Sequence, residues 1–193
     1  ERTQKATGEI GIAVQTLQQE TTEIHSNSEI MNDIAQESSE SIGSFRQTIH
    51  MFNEDAKKAA LQTTAIENTT FITLAKIDHI IFKSNAYKSI ANGQKETEFS
   101  DHHGCRLGKW YDSGQGQERF VHLPSYKSME QPHANVHTIV LHNMQYIEKE
   151  DTSIYHKEEI LSSFQEMEDQ SQMLFTIMDT LNKESEDDLI KNV

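Results

Sequence analysis

The residues of this chain that could hold a transition metal are one cysteine and a group of histidines. Cys105 is the only cysteine, and six of the ten histidines fall between residues 102 and 142. His133 and His137 are four residues apart, so on a helix both imidazoles leave the same face about one turn apart. A third imidazole and a thiolate would complete a tetrahedral donor set, and cysteine–histidine sets of this kind favour zinc.

His79 is a candidate for the third imidazole. Its apolar neighbours Ile77, Ile80 and Ile81 are expected to draw it toward the core. A buried histidine needs a polar partner, which a metal ion supplies. The ordinary alternatives are a chance histidine pair on an exposed helix and a cysteine that only fills space in the core. Spacing alone leaves these alternatives open, because the chain has no C-x-x-C pair.

Four other histidines of this region are expected not to bind a metal. Two of them lie in a flexible run before Cys105, and another is five residues past His137, off its helical face. These four residues are His102, His103, His122 and His142.

The first third of the chain carries a heptad seam that predicts a coiled coil. Apolar or small residues recur at alternating spacings of four and three without a proline, which is typical of a left-handed coiled coil. A single surface helix rarely keeps one register beyond about 25 residues. The seam comprises Ile10, Val14, Leu17, Thr21, Ile24, Ser28, Met31, Ala35, Ser38, Ile42, Phe45, Ile49, Phe52, Ala56, Ala59, Thr63 and Ile66.

The rest of the chain predicts a small helical bundle. Gly93 is placed to cap the end of the first helix, and residues 93–116 are expected to be loop with a short helix around Leu107 to Tyr111. Pro132 suits the first position of the next helix, Ser125 could cap a short turn before it, and the tail after residue 184 is expected to fray. The predicted core-facing stripe of the first helix is Ile77, Ile80, Ile81, Tyr87 and Ile90.

Composition excludes several classes of protein. Only 35% of the 193 residues are hydrophobic, which suits long helices with narrow apolar stripes. The net charge of −14 argues against nucleic-acid and anionic-membrane partners. One cysteine suits a reducing compartment, and no apolar run approaches the roughly 20 residues of a membrane span. Because the sequence begins at Glu1 without a methionine, it is expected to be a fragment.

Three blocks of the sequence resemble the chemoreceptor zinc-binding (CZB) domain. They are "LAKIDHIIFK", "CRLGKWY" and "PHANVH", in this order within residues 70–172. The resemblance implies that His79, Cys105, His133 and His137 bind Zn²⁺, and it places the domain in the bacterial cytoplasm, where it controls a signalling output. The expected fold is all-α, with a long coiled-coil helix leading into a small zinc-binding bundle.

The preceding segment, "ERTQKATGEIGIAVQTLQQE", is similar to the descending arm of a methyl-accepting chemotaxis receptor. That resemblance implies a homodimer whose hairpin tip, absent here, binds the chemotaxis histidine kinase and its coupling protein. The implied organisation is a signalling coiled coil over residues 1–69, the zinc-binding bundle over 70–172, and a helix end with an acidic tail over 173–193.

The predicted function is therefore sensory and regulatory, and not enzymatic. Zinc-bound Cys105 would sense an oxidant such as hypochlorous acid, or zinc itself would be the stimulus, and the coiled coil would relay the change. The flanking glycines are expected to let the Cys105 segment leave the ion. The alternatives are a purely structural zinc site, a zinc hydrolase with an open coordination position, and a di-iron, hemerythrin-like oxygen-binding bundle.

Overall fold

The computed structural model describes residues 1–148 and 156–191. Within them the chain forms six α-helices and no strand, which confirms the all-α prediction. The predicted start of the last helix near residue 151 lies outside the described residues. The helices are α1 (Arg2–Asn92), α2 (Arg106–Ser113), α3 (Gln115–Phe120), α4 (Pro124–Ser128), α5 (Glu130–Glu148) and α6 (Lys157–Lys191).

The chain divides into two compact units, Glu1–Ala59 and Ala60–Val193. The first unit is the N-terminal part of α1, and all of its residues are exposed. Even the large seam side chains are open to solvent, with Leu17 61% and Phe45 65% exposed. A helix of this length gains little stability from backbone propensity alone, so its apolar seam needs a covering partner.

Polar positions of the seam satisfy their hydroxyl groups locally. Thr21 donates to the carbonyl oxygen of Leu17 at 2.6 Å, and Ser28 donates to that of Ile24 at 2.7 Å. These bonds run back one helical turn, so the hydroxyls do not require a partner from another helix. The polar residues of the predicted seam are therefore compatible with a continuous helix.

The second unit has two apolar clusters built from α1, α5, α6 and the short helices between them. The first contains Ile72, Leu107, Tyr126 and other side chains from α1 to α4 and α6. The second joins α1, α5 and α6 around Val140 and Met167. Buried residues recur along α6 at alternating spacings of four and three, so one face of the helix packs against both clusters. This stripe is Ile160, Phe164, Met167, Ser171, Leu174, Met178, Leu181 and Ser185.

The predicted core-facing stripe of α1 is wrong for most of its members. Ile77, Ile80 and Ile81 are 45%, 49% and 52% exposed, and Tyr87 is also exposed. At about 100° per residue, Ile77 and Ile81 lie roughly 160° around the helix from His79, on the opposite face. Ile90 is half-buried against the second cluster. The buried face of α1 is instead Asn68, Ile72, Ala75, His79, Lys83, Ala86 and Ser89.

The helix ends confirm one prediction and correct others. Gly93 has φ 66 and ends α1, as predicted. Pro132 is the third residue of α5, still within the first turn, where backbone N–H groups lack helical partners. Ser125 is not a cap but lies inside α4, where its hydroxyl donates to Glu184 Oε1 at 3.0 Å. Helix α6 continues to Lys191, and its Ser185 is buried. The predicted fraying after residue 184 is therefore wrong.

No helix in the part of the chain that the structure describes combines the length and the apolar character that crossing a bilayer requires.

The buried stripe of α6 can be tested with one substitution type at two positions. Leu174→Ala should lower the free energy of unfolding by about 2–5 kcal/mol, because Leu174 is 0% exposed and its truncation leaves a cavity. Leu161→Ala is the matched control, since Leu161 is 58% exposed and should change stability by no more than about 0.5 kcal/mol. Urea unfolding followed by Trp110 fluorescence measures both. Equal losses from the two variants would contradict the assigned face.

Candidate metal centre

Four side chains from three parts of the fold meet between the two apolar clusters. His79 comes from α1, Cys105 precedes α2 as its N-cap, and His133 and His137 lie in α5. Their candidate ligand atoms all lie within 4.8 Å of one another. The three histidines are 2%, 3% and 1% exposed, whereas Cys105 is only half-buried. The structure therefore brings together the four residues proposed from the sequence.

The spacing of the four groups fits a small tetrahedral ion. Cys105 Sγ lies 3.2 Å from His133 Nε2. The ring of His79 is centred 5.0 Å from that of His133 and 5.5 Å from that of His137. Zn–N bonds of about 2.0–2.1 Å and Zn–S bonds of about 2.3 Å give ligand–ligand edges of roughly 3.3–3.7 Å in a tetrahedron. An ion at the centre needs only a modest inward movement of these side chains.

Two of the rings are oriented by backbone carbonyl groups. His79 Nδ1 lies 2.7 Å from the carbonyl oxygen of Ala75, and His137 Nδ1 lies 2.9 Å from that of Ser100. With the proton on each Nδ1, both Nε2 lone pairs face the cluster. Both Nε2 atoms are buried without a hydrogen-bond partner among the described residues. A metal ion supplies the missing partner, and metal-binding imidazoles usually donate their other N–H to a carbonyl or carboxylate that fixes the orientation of the ring.

Burial keeps the three imidazoles in the form that binds a metal. Loss of solvation lowers the pKa of His79, lowers that of His133 to about 2 and lowers that of His137 to about 4. All three rings are therefore neutral at physiological pH, as ligation requires. Burial also raises the pKa of the Cys105 thiol. The pocket alone thus disfavours the thiolate, whereas a coordinating cation deprotonates such a thiol.

The segment that carries Cys105 is held by close backbone packing. Cys105 Sγ accepts a hydrogen bond from the backbone N–H of Gly108 at 3.3 Å. A Cβ at Gly108 would lie 1.9 Å from the carbonyl oxygen of His102, and one at Gly116 would lie 2.5 Å from the ring of Trp110. Neither glycine has a positive φ. These glycines permit tight packing, so the sequence-based expectation of a freely moving flank does not describe their role in this structure.

Aromatic stacking anchors α2 beyond the cysteine. The Trp110 ring stacks on Phe71 of α1 with a centroid separation of 4.7 Å. The Tyr111 ring stacks on Tyr126 at 4.5 Å, and the Tyr126 hydroxyl donates to the carbonyl oxygen of Tyr111. The tryptophan and tyrosine that follow Cys105 in sequence therefore fix its helix to the first apolar cluster.

The four histidines predicted not to bind a metal lie outside the cluster. His103 pairs with Asp112 at 2.7 Å, and His122 lies 3.3 Å from Asp188. His142 packs edge-on against Tyr146. His102 comes nearest, with its ring centred 5.6 Å from that of His133.

The sequence did not predict the orienting carbonyls of Ala75 and Ser100, since a hydrogen bond to a backbone group does not require a particular residue type.

The sequence that contains the cluster matches a known protein family. Residues 79–142 match the chemoreceptor zinc-binding domain. The match includes His79, Cys105, His133 and His137, and it confirms the resemblance noted in the sequence. It covers about a third of the chain, and the methyl-accepting receptor context of the first unit stays a prediction. No curated protein and no solved structure matches the chain. The family match and the cluster together support a zinc-binding domain.

The ligand set predicts how bound zinc responds to substitution. Cys105→Ala and His79→Ala should each weaken zinc binding by more than about 100-fold, since even outer-shell substitutions cost roughly 10–100-fold. Both should also lower the melting temperature of the second unit, because metal-binding energy is in part folding energy. His103→Ala is the control and should leave zinc bound. Metal content by mass spectrometry measures the outcome, and stoichiometric zinc in a Cys105→Ala, His133→Ala double variant would show that the ligand set is wrong.

Proposed function

We propose that this chain is a sensory and regulatory zinc protein in which Cys105 is both ligand and redox trigger. The observation that carries the proposal is the cluster itself, three neutral buried imidazoles with one half-buried sulfur. When bound, zinc would hold Cys105 as a thiolate, the form that oxidants attack. Cys105 is the single oxidisable member of this donor set, so oxidation would remove one ligand and leave three.

The proposed oxidation is a two-electron step at sulfur. The Cys105 thiolate attacks the chlorine of hypochlorous acid, an S–Cl bond forms, and hydroxide leaves as the Cl–O bond breaks. Water then displaces chloride and leaves a sulfenic acid, with release of a proton. The sulfenic acid is a poorer donor than the thiolate, so metal affinity falls. If zinc itself is the stimulus, the same four residues respond by binding and releasing zinc, and Cys105 is not oxidised.

A catalytic role is less well supported than a regulatory one. Four protein donors fill a tetrahedron, and a zinc hydrolase needs one position open for water. A di-iron site of the hemerythrin kind requires several carboxylates in the cluster. Among the described residues, the group that could hold a metal contains no carboxylate. The rival that remains is a purely structural zinc site.

Helix α1 is the proposed output element. It carries His79 and also the whole heptad seam, so a change at His79 acts on the helix that would lead to the receptor tip. Lys76 joins this helix to Asp179 of α6 at 2.6 Å, and Lys83 joins it to Glu168 at 2.6 Å. We propose that the coiled coil relays the change to the chemotaxis histidine kinase and coupling protein, within a cytoplasmic, methyl-accepting receptor.

The exposed seam supports a homodimer. Isoleucine, leucine and phenylalanine side chains on one helical register are open to water over the whole first unit. A heptad seam is self-complementary, so a second copy of the chain is the partner that covers it.

The trigger role predicts an order of oxidation. Near-stoichiometric hypochlorous acid should convert Cys105 before the exposed Met31 and Met51, release zinc, and change the helix content of the protein. Peptide mass spectrometry, a zinc indicator dye and circular dichroism follow the three events. The matched control is Cys105→Ser, which should show methionine oxidation without an oxidant-dependent zinc release. If methionines oxidise first, or if Cys105 oxidation leaves zinc bound, the site is structural.

The dimer prediction can be tested by sedimentation. The chain should sediment at twice its mass of 22.1 kDa, and Ile24→Asp with Ile42→Asp should shift it toward monomer, because buried carboxylates in a seam are costly. Gln18→Asp with Gln36→Asp adds the same charges outside the seam and should leave the dimer largely intact. A clean monomer at high concentration for the unaltered chain would contradict the proposal.

A further inference from the structure

Cys105 faces solvent through a cleft of about 190 Å³ beside the metal cluster. Two of the side chains that line it are His79 and His137, each with a buried Nε2 that lacks a partner in the described residues. At about 30 Å³ per water molecule, the cleft holds roughly six waters, which is room enough for a small solute beside the sulfur. The lining residues are Asp78, His79, Phe82, Cys105, Arg106 and His137.

An ion pair stands at the outer part of this cleft. Arg106 Nε lies 3.1 Å from Asp78 Oδ2, and the two side chains are 50% and 37% exposed. The histidines behind them are almost fully buried. Asp78 precedes one proposed ligand in sequence and Arg106 follows another, so the pair links α1 to α2 beside the cluster. Apart from bound zinc and the thiolate that it would hold, these two residues carry the only full charges of the cleft lining while the imidazoles are neutral.

We infer that the Asp78–Arg106 pair controls which reagents reach Cys105, and that the cleft admits small uncharged oxidants in preference to anions. The Asp78 carboxylate pairs with Arg106 Nε at 3.1 Å and balances the guanidinium charge, which weakens the attraction of the cleft for anions. The net charge of −14 adds a general repulsion of anions from the protein. This inference rests on the proposed role of Cys105 and assigns to the ion pair a part in selecting reagents by their charge.

The charge preference can be measured with two alkylating reagents of nearly equal size. Iodoacetamide is neutral and iodoacetate is an anion. With each, the Cys105 sulfur forms a bond to the methylene carbon and iodide leaves. Because both attack the same sulfur, a change in the ratio of their rates from one variant to another reports the charge that the substitution alters, since the thiolate and bound zinc are common to all variants. Mass spectrometry of the Cys105 peptide in the zinc-loaded chain gives both rates.

Two single variants should move this ratio in opposite directions. Arg106→Gln leaves the Asp78 carboxylate unpaired, and the iodoacetate-to-iodoacetamide rate ratio should fall about 3–10-fold, as expected for one charge a few ångströms from the sulfur. Asp78→Asn leaves the guanidinium unpaired, and the ratio should rise by a similar factor.

A second ion pair provides matched controls. Arg119 and Glu67 lie 3.9 Å apart, and neither lines the cleft. Arg119→Gln and Glu67→Gln make the same changes in net charge and should shift the rate ratio by less than about twofold, because solvent and salt screen distant charges. Zinc content and Trp110 fluorescence establish that each variant is folded.

The outcomes separate this inference from the proposed function. If the two cleft variants shift the ratio no more than their controls, the ion pair does not select reagents and the inference is wrong. If the ratio shifts as expected while oxidation of Cys105 fails to release zinc, the inference stands and the trigger role fails. If oxidation releases zinc but the ratio does not move, the trigger role stands alone.

Discussion

Three buried imidazoles impose the constraint on which the second unit depends. His79 and His137 each turn one ring nitrogen to a backbone carbonyl and leave the other buried without a partner among the described residues. Burying a polar atom unpaired costs on the order of 1–3 kcal/mol, so two of them form a substantial fraction of a small domain's stability. An ion that accepts both lone pairs removes this cost.

The metal cluster lies beside both apolar cores, so the cost of its unpaired nitrogen atoms affects the stability of the whole second unit. Along α1, His79 lies between Ala75 of the first apolar cluster and Ala86 of the second. Met129 of the first cluster directly precedes α5, whereas Val136, between the two histidines, and Val140 belong to the second cluster. The metal-binding residues thus contact both cores, since Cys105 packs against the first cluster and His137 lies against Phe82 of the second. We propose that a change in the number of donors at the metal cluster alters how the two apolar clusters pack against one another.

Sequence reasoning found the four residues, but one of its reasons was wrong. The spacing of His133 and His137 follows from helical periodicity, which is local and readable. His79 was expected to be buried because of three isoleucines, yet all three are exposed, and Ile77 and Ile81 lie on the opposite face of the helix. Cys105 contacts His133 across 28 residues, and no local pattern encodes a contact at that range, so its membership rested on the family resemblance.

The short helices between α1 and α5 show a different limit. Gly114 and Gly116 suggested loop, whereas the structure places Gly116 in α3 with Trp110 packed against its bare Cα. A glycine that permits close approach and one that breaks a helix look alike in sequence. For the same reason, the glycines beside Cys105 predicted a mobile segment, whereas stacking of Trp110 and Tyr111 holds α2 in place.

The central claim, a tetrahedral zinc site built from three imidazoles and one thiolate, is tested most directly by zinc K-edge X-ray absorption on the purified chain. The account predicts one sulfur at about 2.3 Å and three nitrogens at about 2.0–2.1 Å, with the sulfur replaced by a lighter atom in Cys105→Ser. A first shell of nitrogen and oxygen without sulfur in the unaltered chain, or a bound metal other than zinc, would contradict it.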